Sequence, residues 1–188
     1  MSQVYFDHNS TTALKTEVLE TMLPFMANQH GNATSQHSFG RVARGAVEQA
    51  REQVAAAVGA YANQIVFTAS GTEANNFAVR GICSNLDAAQ ILTSSIEHPC
   101  VSRPAKAMQT CGWKAHSIKV DTNCNINMAH LQNLLAAPTN LVSVMLANNE
   151  TGVIQDIAKI AELARQHKAY VHTDAVQALG KIPVDFYD

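Results

Sequence analysis

The chain contains 188 residues, 47% of them hydrophobic, and carries a formal net charge of −2 at pH 7. This length allows one domain with a sizeable hydrophobic core. The near-neutral charge gives no reason to expect nucleic acid or an acidic membrane as a partner, and no apolar run is long enough to span a bilayer.

The N-terminus and the cysteines indicate a cytoplasmic protein. The first residues lack a basic region followed by an apolar one, so we expect no secretory signal. No Cys-x-x-Cys pair occurs. We interpret the cysteines as small apolar residues in a reducing compartment: Cys83, Cys100, Cys111 and Cys124.

The first third of the chain predicts two helices with a polar loop between them. Helical periodicity begins at Thr16, and Pro24 is expected to kink or divide that helix. A polar loop bounded by glycines follows at residues 31–40. The helical period returns at Arg41, and Gly59 is a natural end for the second helix.

From residue 65 onward, short apolar runs alternate with helical segments. The runs predict strands at residues 65–68, 90–93, 113–120 and 141–146, and a last strand that begins at Tyr170. The helical segments between them pass through residues 76–79, 99–110, 127–135 and 156–167. This alternation is typical of an α/β fold with a mostly parallel sheet and helices on both faces.

Polar clusters follow four of the predicted strands. They lie at residues 69–73, 94–98 and 147–152 and at the pair Asp174 and Gln177. Ligands of parallel α/β sheets bind beyond the carboxyl ends of the strands. We therefore expect these clusters to form one shared site.

The cluster Ser70-Gly71-Thr72-Glu73 has two interpretations. It fits a capping box, with Ser70 as the N-cap and Glu73 at the third helical position. It also fits a phosphate site, in which free backbone N–H groups, a glycine and the Thr72 hydroxyl bind the anion. It matches neither the dinucleotide fingerprint nor the Walker loop.

Asp174 ends an apolar, β-branched run, where burial of a carboxylate is costly. A charge at that place needs a cationic partner or several hydrogen bonds. A ligand with a protonated ring nitrogen would suit it. The alternative interpretation is an aspartate that caps the next helix or turn.

His98, before Pro99, is a candidate for stacking on a flat ligand or for proton transfer, although a lone histidine is more often an ordinary surface or core residue. His172 and Asp174 lie on the same side of a strand, which permits a metal site with His98. We expect no metal, because no second acid or thiolate falls at ligand spacing.

Several segments together resemble the pyridoxal 5'-phosphate (PLP)-dependent cysteine desulfurases. These enzymes belong to the class V aminotransferase group and have the fold-type-I architecture. The resemblance covers essentially the whole chain, in the family's order and spacing, through residues 5–12, 31–40, 67–76, 97–98, 147–152 and 172–177.

The resemblance implies a PLP site. In it, Gly71 and Thr72 contact the phosphate, and His98 stacks on the cofactor and helps to move protons. Asn149 binds the pyridine side of the cofactor. The remaining implied ligands are the partner of the pyridinium nitrogen and the donor to the phenolic oxygen, namely Asp174 and Gln177.

The chain departs from the family at its C-terminal end. The family's Schiff-base lysine follows shortly after the position of Asp188, and the substrate-carboxylate arginine and catalytic cysteine lie further along. Lys181 matches a different family lysine. We therefore expect residues 1–188 to be an N-terminal arm plus most of the PLP-binding large domain, without the C-terminal small domain, and to be inactive alone.

The resemblance implies a desulfurase that transfers sulfur from L-cysteine to an enzyme cysteine as a persulfide, leaving L-alanine. The sulfur would serve iron–sulfur cluster or thio-cofactor assembly, with a scaffold protein as acceptor. We expect a homodimer or association with a complementary half. The alternatives are a selenocysteine lyase, an aminotransferase, and an inactive remnant or half of a split protein.

Overall fold

The computed structural model describes residues 3–187. Met1, Ser2 and Asp188, which begin and end the span predicted as arm plus large domain, lie outside the described residues. The chain divides into two compact units. Of the described residues, the first unit contains 3–66 and 184–187, and the second unit contains 67–183. No helix among residues 3–187 is long and apolar enough to cross a membrane.

The first unit contains the two predicted helices, α1 (Thr16–Ala27) and α2 (Ser38–Ala57), and a short 3₁₀ turn at Ala62–Gln64. Pro24 was expected to kink or divide the first helix; the helix is not divided, because α1 continues through Pro24 to Ala27. Proline removes an N–H donor but keeps its carbonyl. That carbonyl accepts from the amides of Asn28 at 2.9 Å and Gln29 at 2.7 Å and so closes the last turn.

The second unit is built on four parallel strands in the order β2-β1-β3-β4. The strands are β1 (Gln90–Ser94), β2 (Lys114–Ile118), β3 (Thr139–Ser143) and β4 (Tyr170–His172). The helices are α3 (Gly71–Asn85), α4 (Pro99–Ala107), α5 (Met128–Leu135) and α6 (Ile157–Gln166), with a 3₁₀ turn at Met108–Cys111 after α4.

Two hydrophobic cores cover the two faces of this sheet. Successive strand residues point to opposite faces, so Ile91 belongs to one core and Leu92 to the other. The Ile91 core includes residues of α3 and α4, whereas the Leu92 core includes residues of α5 and α6. The predicted α/β class, with a parallel sheet and helices on both faces, is confirmed.

The predicted strand at residues 65–68 is wrong. The segment has no regular structure, and the side chains of Val66 and Phe67 are 64% and 47% exposed. A strand needs a neighbour that accepts and donates its backbone hydrogen bonds. None of the strands in residues 3–187 pairs with this segment, so its apolar composition alone does not make it a strand. The first polar cluster therefore follows an irregular segment.

The third strand ends three residues earlier than predicted, but the residues that follow it continue to form backbone hydrogen bonds with the segment at the end of β4. Beyond Ser143, the amide of Val144 donates to the His172 carbonyl at 3.1 Å. The amide of Leu146 then donates to the Asp174 carbonyl at 3.0 Å. These bonds hold the segments that follow β3 and β4 side by side at the carboxyl edge of the sheet.

Candidate functional site

The start of α3 forms one end of the candidate site, which we call the phosphate end (residues 69–73). Ser70 Oγ accepts from the Glu73 amide at 3.2 Å, and Glu73 Oε2 accepts from the Ala69 amide at 2.6 Å. The prediction that Ser70 is the N-cap is therefore confirmed. The Glu73 side chain accepts from the amide of Ala69, one residue before the cap, and not from that of Ser70 itself. The first amides of an α-helix have no intrahelical acceptor, so the exposed Gly71-Thr72 backbone is suited to an anion.

Gly71 also stands close to the segment that follows β4. A Cβ atom at this position would lie 3.2 Å from Val176 Cγ2, which is tighter than ordinary van der Waals contact. The absence of a side chain therefore lets the two segments approach without displacement.

Asp174 lies immediately beyond β4, and its side chain is held by hydrogen bonds. The residue is 7% exposed. Its Oδ2 accepts from Asn75 Nδ2 at 2.8 Å and its Oδ1 accepts from the Val176 amide at 3.0 Å. Within residues 3–187, no Lys, Arg or His nitrogen forms an ion pair with this carboxylate. A buried acid in that state can take a cationic group from a ligand.

His172, the last residue of β4, joins the same network. Its Nε2 lies 3.1 Å from Asn75 Oδ1, and its Nδ1 lies 2.8 Å from Ser143 Oγ. Burial lowers the pKa of His172, and the nearby Asp174 charge only partly opposes this. The ring is therefore neutral near pH 7 and serves as a hydrogen-bonding group. Residues 3–187 contain no group of three potential metal ligands.

Cys100 connects His98 to this network. His98 is the N-cap of α4, and its Nδ1 accepts from the Cys100 amide at 3.2 Å and lies 2.8 Å from Cys100 Sγ. The sulfur also accepts from Asn75 Nδ2 at 3.0 Å and lies 3.9 Å from Asp174 Oδ2. Burial raises the pKa of the Cys100 thiol, and the Asp174 charge adds to this while the Asn75 hydrogen bond opposes it. Cys100 is therefore a protonated polar contact and not the plain apolar residue that the sequence suggested.

We call the group Asn75, Cys100, His172 and Asp174 the carboxylate end. A groove of about 350 Å³ between α3 and α4 connects it with the phosphate end, because both Thr72 and Cys100 line this groove. His98 lines it as well, beside Arg103. The structure thus brings together Thr72 and His98, and it links Asp174 to them through hydrogen-bonded side chains.

Glu97 fastens the loop that carries His98. Its Oε1 accepts from Ser94 Oγ at 2.5 Å and from the Met145 amide at 2.7 Å. Burial raises the pKa of Glu97 to about 7, and the Asp174 charge adds to the rise against those two hydrogen bonds. The loops that follow β1 and β3 are therefore tied together by a partly protonated acid.

Asn148 organises the loop that contains the predicted ligand Asn149. Its Nδ2 donates to the Ile96 carbonyl at 3.0 Å, and its Oδ1 accepts from the amides of Glu150 and Thr151 at 2.9 and 2.8 Å. Asn148 is 7% exposed, whereas Asn149 is half-buried. The neighbour of the predicted ligand therefore shapes the loop.

Gln177 follows the carboxylate end in a turn. Its Oε1 accepts from Lys181 Nζ at 2.5 Å. A cation on the carbonyl oxygen polarises the amide, which strengthens its N–H groups as donors. Its predicted role, and that of Asn149, remain predictions.

Two residues of the carboxylate end escaped prediction. Asn75 lies within, and Cys100 beside, the segments that carry the family resemblance, but no polar role was predicted for either residue. For Asn75 a signal existed, because helical spacing places it on the same face of α3 as the buried Val79 and Cys83. A polar residue on a buried face needs partners. No comparable pattern marks Cys100.

Comparison with known proteins agrees with this geometry. A family model described as aminotransferase class V matches residues 4–188. The chain therefore belongs to the class V aminotransferase family.

Curated relatives within that family are cysteine desulfurases. The cysteine desulfurase IscS of Dictyoglomus turgidum is 40% identical over 185 residues, covering 97% of this chain and 47% of that protein. The putative cysteine desulfurase IscS 1 of Bacillus subtilis is 41% identical over 187 residues, covering 98% and 49%. The chain spans about half the length of the curated relatives it matches. The predicted resemblance to cysteine desulfurases is confirmed.

Solved structures show the same fold. A NifS-like protein superimposes with a TM-score of 0.95 at 35% identity, covering 98% of this chain and 52% of that chain. A structure described as SspA in complex with cysteine superimposes with a TM-score of 0.92 at 31% identity, covering 96% and 53%. The chain thus shares its fold with about half of each of these structures.

Proposed function

We propose that the second unit carries the PLP site of a cysteine desulfurase. The observation that supports this most directly is Asp174, a buried carboxylate at the carboxyl edge of the sheet that forms no ion pair within residues 3–187. A protonated pyridine nitrogen would supply the missing cation. The α3 N-terminus, on the same groove as Cys100, would hold the phosphate.

The residues present fit two polar groups of this cofactor, its phosphate and its ring nitrogen. Gly71 and Thr72 offer backbone amides and a hydroxyl to the phosphate. Asp174 offers an acceptor to the ring nitrogen, and His98 lines the groove where a flat ring could stack. When bound, PLP supplies an electron sink as long as its ring nitrogen stays protonated.

Two of the side chains around the ring, Asp174 and His98, would hold or move a proton, and two others would contact the ring. Asp174 would keep the proton on the ring nitrogen. The Cys100 amide occupies His98 Nδ1 as a donor, so a neutral His98 ring carries its proton on Nε2, from which proton exchange with a substrate would occur. Asn149 would contact the pyridine side, and Gln177 would donate to the phenolic oxygen.

The activity of the whole protein follows as part of this proposal. The carbon–sulfur bond of L-cysteine breaks, the sulfur joins an enzyme cysteine as a persulfide, and L-alanine is released. A scaffold protein would accept the sulfur for iron–sulfur cluster or thio-cofactor assembly in the cytoplasm. A homodimer would be the working form. The names of the relatives, and the structure of SspA in complex with cysteine, support this substrate.

The decisive experiment is a titration of the protein with PLP, followed by absorbance and fluorescence. We expect Asp174→Asn to weaken binding about tenfold or more, because a neutral amide cannot pair with the pyridinium charge. The matched control is Asp87→Asn, which makes the same change at an exposed position. Equal affinities of the two variants would refute the proposed role of Asp174.

A further inference from the structure

We infer that Asn75 and His172 are positioning residues, which hold Asp174 as an ionised acceptor through a one-directional chain of hydrogen bonds that begins at Ser143. The inference rests on the proposed function, because it assigns a purpose to these residues in the binding of the cofactor ring. It adds two residues from two different elements, α3 and β4, to the site.

The direction of each hydrogen bond follows from the chemistry of the groups. An ionised carboxylate only accepts, so the Asn75 amide group must turn its NH₂ toward Asp174. The Asn75 oxygen then faces His172 Nε2, and since that oxygen only accepts, Nε2 must carry the proton. In a neutral ring, Nδ1 is left as an acceptor for the Ser143 hydroxyl.

The second N–H of Asn75 completes the arrangement. It donates to Cys100 Sγ at 3.0 Å, so both hydrogens of the amide group have acceptors. Asn75 is 5% exposed and Ser143 is fully buried, which leaves little room for water to replace a lost partner. A buried polar network in which every member is satisfied is held in a single orientation.

The opposite orientation of the amide reverses every proton. It would place the Asn75 oxygen against Asp174 and its NH₂ against His172 Nε2. That geometry requires a protonated Asp174 and a His172 that carries its proton on Nδ1. The tautomer of His172 therefore reports the orientation of the Asn75 amide, and a proton on Nε2 means that the amide turns its NH₂ toward Asp174.

The tautomer can be measured directly in the protein without cofactor. In a ¹⁵N-labelled sample near neutral pH, we expect His172 to show the chemical shifts of a neutral ring protonated on Nε2. In Asn75→Leu, which removes the acceptor with little change in volume, we expect the proton to move toward Nδ1 and the Ser143 oxygen. A wild-type ring protonated on Nδ1 would overturn the inference.

Two variants of His172 separate positioning from packing. The amide nitrogen of His172→Gln lies near the place of Nε2 and can still donate to Asn75, whereas His172→Phe cannot. We expect PLP to bind His172→Phe about tenfold or more weakly than the wild type, with His172→Gln restoring most of the loss. Inorganic phosphate, which tests the α3 N-terminus alone, should bind all three proteins equally.

The matched control is His116→Phe at an exposed position of β2. Circular dichroism identifies any variant that does not fold. If His172→Phe is such a variant, the inference is tested by the ¹⁵N chemical shifts of His172 in the wild type and by the PLP affinity of His172→Gln. Equal PLP affinities of His172→Phe and the wild type would overturn the inference while leaving the proposed function intact. A wild-type protein that binds no PLP would overturn the proposed function, and this inference with it.

Discussion

The two ends of the candidate site are built in different ways. At the phosphate end, every bond that shapes the turn spans at most four positions, from Ala69 to Glu73. At the carboxylate end, the central hydrogen bond joins Asn75 and Asp174, which are 99 positions apart. The first end is a property of a short peptide segment, whereas the second exists only once α3 packs beside β4. This difference predicts that the two ends fail separately and by different amounts.

The largest expected effect concerns Glu97, which links loops far apart in sequence. Its pKa rises from an ordinary value of 4.5 to about 7 in the folded protein, mainly through burial. The folded state therefore binds the proton more tightly than the unfolded state. The contribution of Glu97 to the free energy of unfolding is highest below pH 4.5. It decreases by roughly 3 kcal/mol in total as the pH rises to about 7.

Urea denaturation across that pH range measures whether the contribution of Glu97 to the free energy of unfolding decreases as the pH rises. Glu97→Gln cannot ionise, so we expect it to gain stability relative to the wild type as the pH rises from about 5 to about 8. Glu162→Gln makes the same change at an exposed position of α6 and should follow the wild type. A wild-type protein that becomes more stable relative to Glu97→Gln over this range would contradict the direction of the pKa shift.

The next largest effect concerns Asn75, which forms hydrogen bonds with the other three residues of the carboxylate end. We expect Asn75→Leu to lower the free energy of unfolding by about 2 kcal/mol, because Asp174 and His172 each lose a hydrogen bond in a buried setting. Denaturation at a fixed pH measures it. Asn85→Leu, at the exposed end of the same helix, serves as the control. If the two variants lost equal stability, the hydrogen bonds of Asn75 would contribute no more to stability than those of an exposed asparagine on the same helix.

The smallest effect concerns the phosphate end. Ser70→Ala removes the N-cap acceptor of α3 and should cost about 1 kcal/mol. Thermal unfolding detects this loss against Ser84→Ala, an exposed serine of the same helix. The loss should leave the His172 tautomer unchanged, because no bond of the carboxylate end involves Ser70. A changed tautomer would mean that the two ends are coupled and not separate.

The same contrast explains which predictions succeeded. The Ser70 cap and the alternation of strands and helices followed from patterns a few residues long. The strand predicted at residues 65–68 was wrong because its apolar pattern contains no information about whether a neighbour pairs with it. Cys100 was given an apolar role because nothing in its flanking residues indicates that Asn75, 25 positions away, donates to its sulfur.

By itself, the sequence determined the four strands and four α-helices of the second unit, the parallel α/β class and the cap at α3, because periodicity and capping depend on side chains within a few positions of one another. Its motifs also indicated the family. Only the tertiary structure decided what surrounds Asp174. Burial, hydrogen-bond direction and proton position depend on which distant side chains pack together, and it is the packing of α3 against the carboxyl edge of the sheet that places Asn75 between Asp174 and His172.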